Sequence, residues 1–236
     1  MRKIHRQEPH IASNRSTLNW LRAAVLGAND GIISLSGLLV GVAGATDSRS
    51  ALVTAGVAGL IAGGFSMAAG EFVSVSTQRD SEQALLDKER QELEDEPEAE
   101  LAELISLYMR KGLSKHTATT VATELTNRDA YAAHVDVELG IDPADLTNPW
   151  QAAMASVVAF LAGALIPFVA ILVVPTNMRI VGTFVAVIAA LLFTGVTSAK
   201  LSGTAPMRAC VRVVLGGILA MVVTYGVGVL FRTSGV

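Results

Sequence analysis

The chain has 236 residues, of which 51% are hydrophobic and 17% charged, and its formal net charge is −3. This composition is typical of a membrane protein. The single Cys210 excludes an intrachain disulfide. The concentration of acid in residues 77–150 disfavours nucleic-acid binding, and the absence of a Gly-x-x-x-x-Gly-Lys motif disfavours ATP-driven pumping.

Five stretches of the chain are long and apolar enough to cross a bilayer, for which a helix needs about 20 residues. They cover residues 17–46, 51–76, 152–174, 180–199 and 213–231. The first is too long for a signal peptide and lacks a cleavage site of small residues, so we expect it to be retained. The sequence therefore predicts an all-α polytopic membrane protein with five transmembrane helices.

A polar, acidic insert separates the second and third apolar stretches. It contains 17 Asp and Glu but 7 Lys and Arg, a net −10, whereas the rest of the chain carries +7. We predict four parts: an N-terminal tail (1–16), transmembrane helices one and two (17–76), the helical insert (77–150) and transmembrane helices three to five (151–236).

The basic residues set the orientation that we expect. Five of them lie in the N-terminal tail or just after it, and segments rich in Lys and Arg stay in the cytoplasm. They are Arg2, Lys3, Arg6, Arg15 and Arg22. Alternation from a cytoplasmic N-terminus places the insert in the cytoplasm and the C-terminal tail outside. An odd number of spans cannot form an inverted repeat within one chain, which favours a pathway built from two copies.

Small residues recur at helical spacing in the first two spans. Gly37 and Gly41 lie in the first, and Gly56, Gly59 and Gly63 in the second. Such residues let helices approach closely in lipid. The pattern leaves open whether they pack within one chain or between two subunits.

Three residues at membrane depth are candidates for a transport pathway. Asp30 lies about two turns into the first span, and Glu71 lies one to two turns from the cytoplasmic end of the second, with Met67 one turn further out. A charge at such depth costs about 2.5–3.5 kcal/mol and usually marks an ion path. Two carboxylates and a thioether suit Fe²⁺ or Mn²⁺. The alternatives are that Glu71 reaches interfacial water and that Met67 only packs.

The insert is predicted to be helical. We expect the second span to continue as a helix to about residue 94, because no Gly or Pro interrupts it. A turn at residues 96–98 then precedes a second helix, which Gly112 ends. Third and fourth helices are expected at 114–126 and 128–139.

Acidic residues of the insert are spaced as pairs on single helix faces, and the turn between the first two helices brings their faces together. On the fourth helix, His134 and Glu138 are four residues apart and therefore lie on one face. The candidate metal ligands are Glu89, Glu92, Glu100, Glu103, His134 and Glu138. Repulsion between these charges favours filling the site with cations. The alternative is an ordinary solvated charged face.

Three sequence runs resemble the vacuolar iron transporter family: residues 27–31 (GANDG), 66–80 (SMAAGEFVSVSTQRD) and 200–208 (KLSGTAPMR). The resemblance implies a homodimer of five-span subunits in the lipid bilayer, with a pore between the two first spans and a cytoplasmic domain that collects metal. It implies export of Fe²⁺, often also Mn²⁺, in exchange for protons, with no permanently bound cofactor. On this pattern Asp30 and Met67 match residues of the pore. The five glutamates among the candidate ligands match the family's metal-collecting glutamates.

The sequence departs from the family pattern in two places, one in the second span and one in the insert. Gly59 stands where plant-type members have a glutamate, and Glu71 is a candidate to supply a carboxylate elsewhere on the path. His134 and Asp136 replace methionine sulfur with nitrogen and oxygen, which tilts the metal preference toward Mn²⁺. The compact N-terminus favours the prokaryotic plasma membrane, or the vacuolar membrane if the source is eukaryotic.

Two other classes of protein also combine membrane spans with an acidic domain. One is a membrane scaffold whose acidic domain binds a basic partner, which leaves Asp30 unexplained. The other is a membrane-anchored iron-storage or di-iron protein. Such bundles carry Glu-x-x-His pairs, and none of the four histidines here has a glutamate three residues before it.

Overall fold

The computed structural model describes residues 15–201 and 203–234, and the described part is all α-helical. The basic residues Arg2, Lys3 and Arg6 lie outside the described residues. The helices are α1 (Arg15–Ala45), α2 (Arg49–Asp95), α3 (Pro97–Arg110), α4 (Lys115–His134), α5 (Pro149–Val173), α6 (Arg179–Leu201) and α7 (Pro206–Ser234). A π-helical turn covers Val135–Leu139, and a 3₁₀ turn covers Thr176–Met178.

The five predicted transmembrane helices are confirmed as α1, α2, α5, α6 and α7, each long and apolar enough to cross a membrane. The helix α2 has 47 residues, so it is about 70 Å long, against about 30 Å of hydrocarbon in a bilayer. Its C-terminal half therefore extends beyond the membrane as part of the insert.

The described chain divides into two compact units: a membrane unit of residues 17–73, 149–201 and 203–234, and an insert unit of residues 74–148. In the membrane unit, α1 is central. Its side chains Ile32, Leu35 and Leu39 are buried in one apolar cluster with Phe160 of α5 and residues of α6 and α7. Burial of such side chains orders the helices through close packing, since lipid offers no hydrophobic drive of its own.

Glycines allow the close approach of α1 to its neighbours. A Cβ atom on Gly31 would collide with the main-chain oxygen of Phe160 in α5. Further along α1, Gly37 and Gly41 face Thr224 of α7, and Gly228 packs against Gly41 in return. The packing of Gly37 and Gly41 is therefore within the chain, which the sequence pattern alone left open.

The insert unit is built from the end of α2, then α3, α4 and the π-helical turn. Pro97 occupies the first turn of α3, and Gly112, with φ of 100°, ends it. Pro is favoured in the first turn of a helix because it lacks the N–H that would be unpaired there. Gly is favoured just after the last turn because it tolerates positive φ. The Ser114 side chain accepts a hydrogen bond from the Thr117 N–H and begins α4.

The predicted boundary between a third and a fourth insert helix is a kink within α4. Asp129 has the non-helical φ and ψ of −166° and 95°. Its carboxylate accepts a hydrogen bond of 2.9 Å from the Ala132 N–H, so it caps the second half of the helix. The kink lies two residues beyond the predicted boundary and sets the direction of the segment that carries His134.

Candidate metal centre

Four of the six predicted insert ligands form one cluster. Glu89 comes from α2, Glu100 from α3, His134 from the end of α4 and Glu138 from the π-helical turn. One potential ligand atom from each lies within 4.8 Å of the others. Side chains from four successive elements thus converge on a volume the size of a single coordination sphere.

The His134 imidazole is at the centre of this cluster. Its Nδ1 lies 3.0 Å from Glu89 Oε1, 3.5 Å from Glu100 Oε2 and 3.4 Å from Glu138 Oε2. The contact with Glu89 is short but lacks hydrogen-bond geometry, so Glu89 Oε1 has no hydrogen-bond partner among the described residues. A buried carboxylate oxygen without a donor is a free ligand position.

Burial gives the cluster its electrostatic character. His134 is fully buried, and Glu89 and Glu100 are 2% and 8% exposed, while Glu138 reaches solvent. Burial raises the pKa of Glu89 above its ordinary value of 4.5, and the charge of Glu138 raises it further, although His134 lowers it. Burial also raises the pKa of Glu100. Three carboxylates held so close together in a buried site repel one another, and a divalent cation would relieve this repulsion.

The structure does not bring Glu92 and Glu103 into the cluster. Glu92 is half-exposed and accepts two hydrogen bonds from the Lys88 ammonium, at 2.6 and 2.7 Å. Glu103 is exposed. Both charges raise the pKa of Glu100, so they contribute to the field around the cluster from outside it. Glu92 also lines a surface groove that leads to Glu100.

The donor set of the cluster fits a borderline divalent metal. Three carboxylates and one imidazole offer oxygen and nitrogen, which suit Mn²⁺, Fe²⁺ and Zn²⁺ better than soft ions. The exposed Glu138 gives the site one side through which a hydrated ion can enter. The cluster is therefore a candidate binding site for a metal that arrives and leaves.

Two of the three predicted pathway residues lie together in the membrane unit. Asp30 and Met67 line a cavity of about 230 Å³ between α1 and α2, which also includes Ser34, Ser66 and Gly59. The Ser34 hydroxyl donates to the main-chain oxygen of Asp30 at 2.6 Å. The cavity thus combines a carboxylate, a thioether and hydroxyls, and Gly59 leaves it without a second carboxylate.

The third predicted pathway residue, Glu71, lies elsewhere. It is absent from the residues that line the Asp30 cavity. Its carboxylate instead accepts a hydrogen bond from Arg22, with 3.3 Å between Nη2 and Oε1. Sequence reasoning used Arg22 only to orient the chain and did not identify this partnership. The available signal was that Arg22 is the sole basic residue well inside the first apolar stretch.

A second polar contact inside the membrane unit was also missed. The Thr194 hydroxyl of α6 lies 2.7 Å from Asn29 Oδ1 and donates to it. Asn29 directly precedes Asp30, so this bond fixes the backbone of α1 next to the cavity. The two residues are 165 positions apart, and only the packing of α1 against α6 brings them together.

Comparison with known proteins gives consistent matches along the chain. The model of the VIT family matches residues 21–229. A "Vacuolar iron transporter" of Acanthamoeba castellanii is 40% identical over 225 residues, covering 95% of this chain and 83% of the relative. "Vacuolar iron transporter homolog 1" of Oryza sativa subsp. japonica is 37% identical, covering 92% and 76%. "Vacuolar iron transporter homolog 2.1" of Arabidopsis thaliana is 36% identical, covering 88% and 79%.

Proposed function

The chain belongs to the VIT family, as its sequence motifs indicated, and on that premise we propose that it exports Fe²⁺ or Mn²⁺ from the cytoplasm in exchange for protons. It is a membrane transporter of this family and not an enzyme. The related proteins are named as iron transporters, and the metal is substrate and transient ligand here, without a permanent cofactor.

The buried cluster of Glu89, Glu100, His134 and Glu138 is the observation that carries the proposal. A solvated charged face, or an acidic surface for a basic partner, would leave its carboxylates exposed to water. Three of these four side chains are instead buried around one point. Burial of like charges is costly without a cation, so the arrangement favours metal binding over the scaffold alternative.

The cavity with Asp30 and Met67 is the proposed place where the metal crosses the membrane. Asp30 supplies the formal negative charge and Met67 a softer ligand, a combination that suits Fe²⁺ and Mn²⁺. The carboxylate can also hold a proton when no metal is bound, which allows exchange of the two. His134 in place of a thioether tilts the insert modestly toward Mn²⁺.

The exposure of one face of α1 supports the proposal of a homodimer. This exposed stripe consists of Arg22, Leu26, Asp30, Ser34 and Leu38, at four-residue spacing, with Asp30 partly exposed. Charged groups at membrane depth face protein or water rather than lipid. We therefore place a second copy of α1 against this stripe, so that the two Asp30 cavities form one path.

Single cysteines test the dimer. Leu38→Cys, on the exposed stripe, should form cross-linked dimers in membranes in most molecules. The matched control Val185→Cys lies on α6 and is also exposed, and it should form few. Cys210 is buried and contributes little background. Equal cross-linking of the two variants would contradict a dimer formed through the first spans.

Flux measurements test the proposed function. Purified protein in liposomes should move Mn²⁺ and Fe²⁺ down an imposed concentration gradient, with counter-movement of protons reported by an internal pH dye. A proton gradient directed opposite to the metal flux should speed metal transport. Ca²⁺ should compete weakly with the transported metal because it prefers oxygen-only sites. Metal flux without proton movement would be consistent with a metal transporter but would reject the proposed exchange for protons.

The proposed location is the plasma membrane of a prokaryote, or the vacuolar membrane in a eukaryote. The five spans make the chain a multi-pass membrane protein. The basic residues that precede α1 favour a cytoplasmic N-terminus and insert, with the C-terminus outside.

A further inference from the structure

The Arg22–Glu71 ion pair of the membrane unit has no role in metal binding as proposed above. Arg22 Nη2 lies 3.3 Å from Glu71 Oε1. Glu71 is 8% exposed, whereas the Arg22 side chain is 60% exposed. Within residues 15–201 and 203–234, Arg22 is the hydrogen-bonding and ion-pair partner found for this carboxylate. An enclosed charge is costly unless it is paired, and Arg22 is the paired group here.

The pair lies beside the proposed path of the metal. Arg22 belongs to the exposed stripe of α1 that also carries Asp30. It lies eight residues before Asp30, which corresponds to about 12 Å toward the N-terminal end of the helix. On α2, Glu71 lies one turn beyond Met67, again toward the predicted cytoplasmic side. A cation that moves along this face from the cytoplasm therefore passes Arg22 before it reaches Asp30.

The charge of Arg22 alone would oppose that movement. The Coulomb energy between a guanidinium and a divalent ion is twice that between two unit charges, and it grows as water is excluded. In contact with Glu71, Arg22 forms a pair without net charge. The contact also ties the exposed guanidinium to a carboxylate of α2.

We infer that Glu71 is a positioning residue that neutralises Arg22 at the cytoplasmic mouth of the path and does not ligate the metal. The inference rests on the proposed function for the direction of metal movement. The charge balance around Arg22 can be measured without any transport, so the two can fail separately.

Chemical modification measures this local charge. Leu26→Cys places a thiol one turn from Arg22, on the stripe of α1 that faces the proposed path between the two subunits, and its reaction with anionic and cationic methanethiosulfonates reports the potential in that path. Adding Glu71→Gln should raise the ratio of anionic to cationic rates by about tenfold, because it uncovers one positive charge. Adding Arg22→Gln as well should return the ratio to within about twofold. A cysteine at Ser48, exposed in the connection between α1 and α2, is the control and should show no change.

Transport measurements then separate a countercharge from a ligand. Glu71→Gln should lower Mn²⁺ flux by about tenfold or more, and Arg22→Gln in the same chain should restore it to within about threefold. Glu71→Asp, which keeps the charge, should retain both flux and the modification ratio. A double variant as slow as Glu71→Gln would make Glu71 a ligand and overturn the inference. An unchanged modification ratio in Glu71→Gln would overturn it even if the wild-type protein moved no metal.

Discussion

Glu100→Ala should weaken Mn²⁺ binding by the insert more than about 100-fold, whereas Glu103→Ala should weaken it by no more than about fivefold. The two glutamates are three residues apart on α3 and carry the same charge. Glu100 is buried in the cluster around His134, and Glu103 is exposed outside it. Loss of Glu100 removes a ligand, while loss of Glu103 removes only a screened, more distant charge.

Calorimetry on the full-length protein in detergent measures both variants, with the unfolding temperature as a check on folding. Acidification gives a second signature. Protons compete with the metal for carboxylates, and burial raises the pKa of both Glu89 and Glu100. Affinity should therefore fall as pH is lowered, beginning at a higher pH than for exposed glutamates. Equal losses in the two variants would return the cluster to a diffuse acidic surface.

The sequence predicted the helices well because their signals are long or sharply bounded. Each of the five spans lies in a helical segment of 25 residues or more, and Pro97 and Gly112 bound α3 where local chemistry requires it. The kink in α4 was placed two residues early. A polar segment gives no apolar period to locate a break, and the capping role of Asp129 depends on its side-chain hydrogen bond.

The site was harder to predict because spacing on a helix does not specify burial. Glu89 and Glu92 are three residues apart, which is about 60° around the helix axis. This rotation is enough for Glu89 to enter the cluster while Glu92 pairs with Lys88 at the surface. His134 was one of six candidate ligands, and its spacing did not show that it is fully buried at the centre of the cluster. The available signal of this burial was that both chain neighbours of His134, Ala133 and Val135, are apolar.

Glu71 illustrates a different limit of the sequence. Its position in the sequence predicts a depth of one to two turns from the cytoplasmic end of the second span, but depth alone does not specify a partner. The contact with Arg22 joins residues 49 positions apart. It depends on how α1 and α2 are rotated about their own axes, and that rotation follows from packing of the glycines and large apolar side chains of both helices.

Asp30→Asn should lower metal flux more than about 100-fold and abolish metal-linked proton movement with it. Asp30 is the single acid of α1, and it lines the cavity together with Met67. Asparagine keeps the size and polarity of the side chain but removes the charge that balances the metal. It also removes the group that could release a proton when metal binds. One substitution should therefore eliminate both movements, while the insert still binds Mn²⁺ with unchanged affinity.

The matched control for this substitution is Asp47→Asn. Asp47 lies between α1 and α2, is exposed, and pairs with Arg232 at 2.8 Å. Exposed ion pairs contribute at most about 1 kcal/mol, so this variant should transport within about twofold of wild type. Glu100→Ala should differ from both, with flux reduced mainly at low metal concentration, because the insert serves to raise the supply of metal. Normal transport by Asp30→Asn would reject the pore assignment, since the charge on which the proposed path depends would then be dispensable.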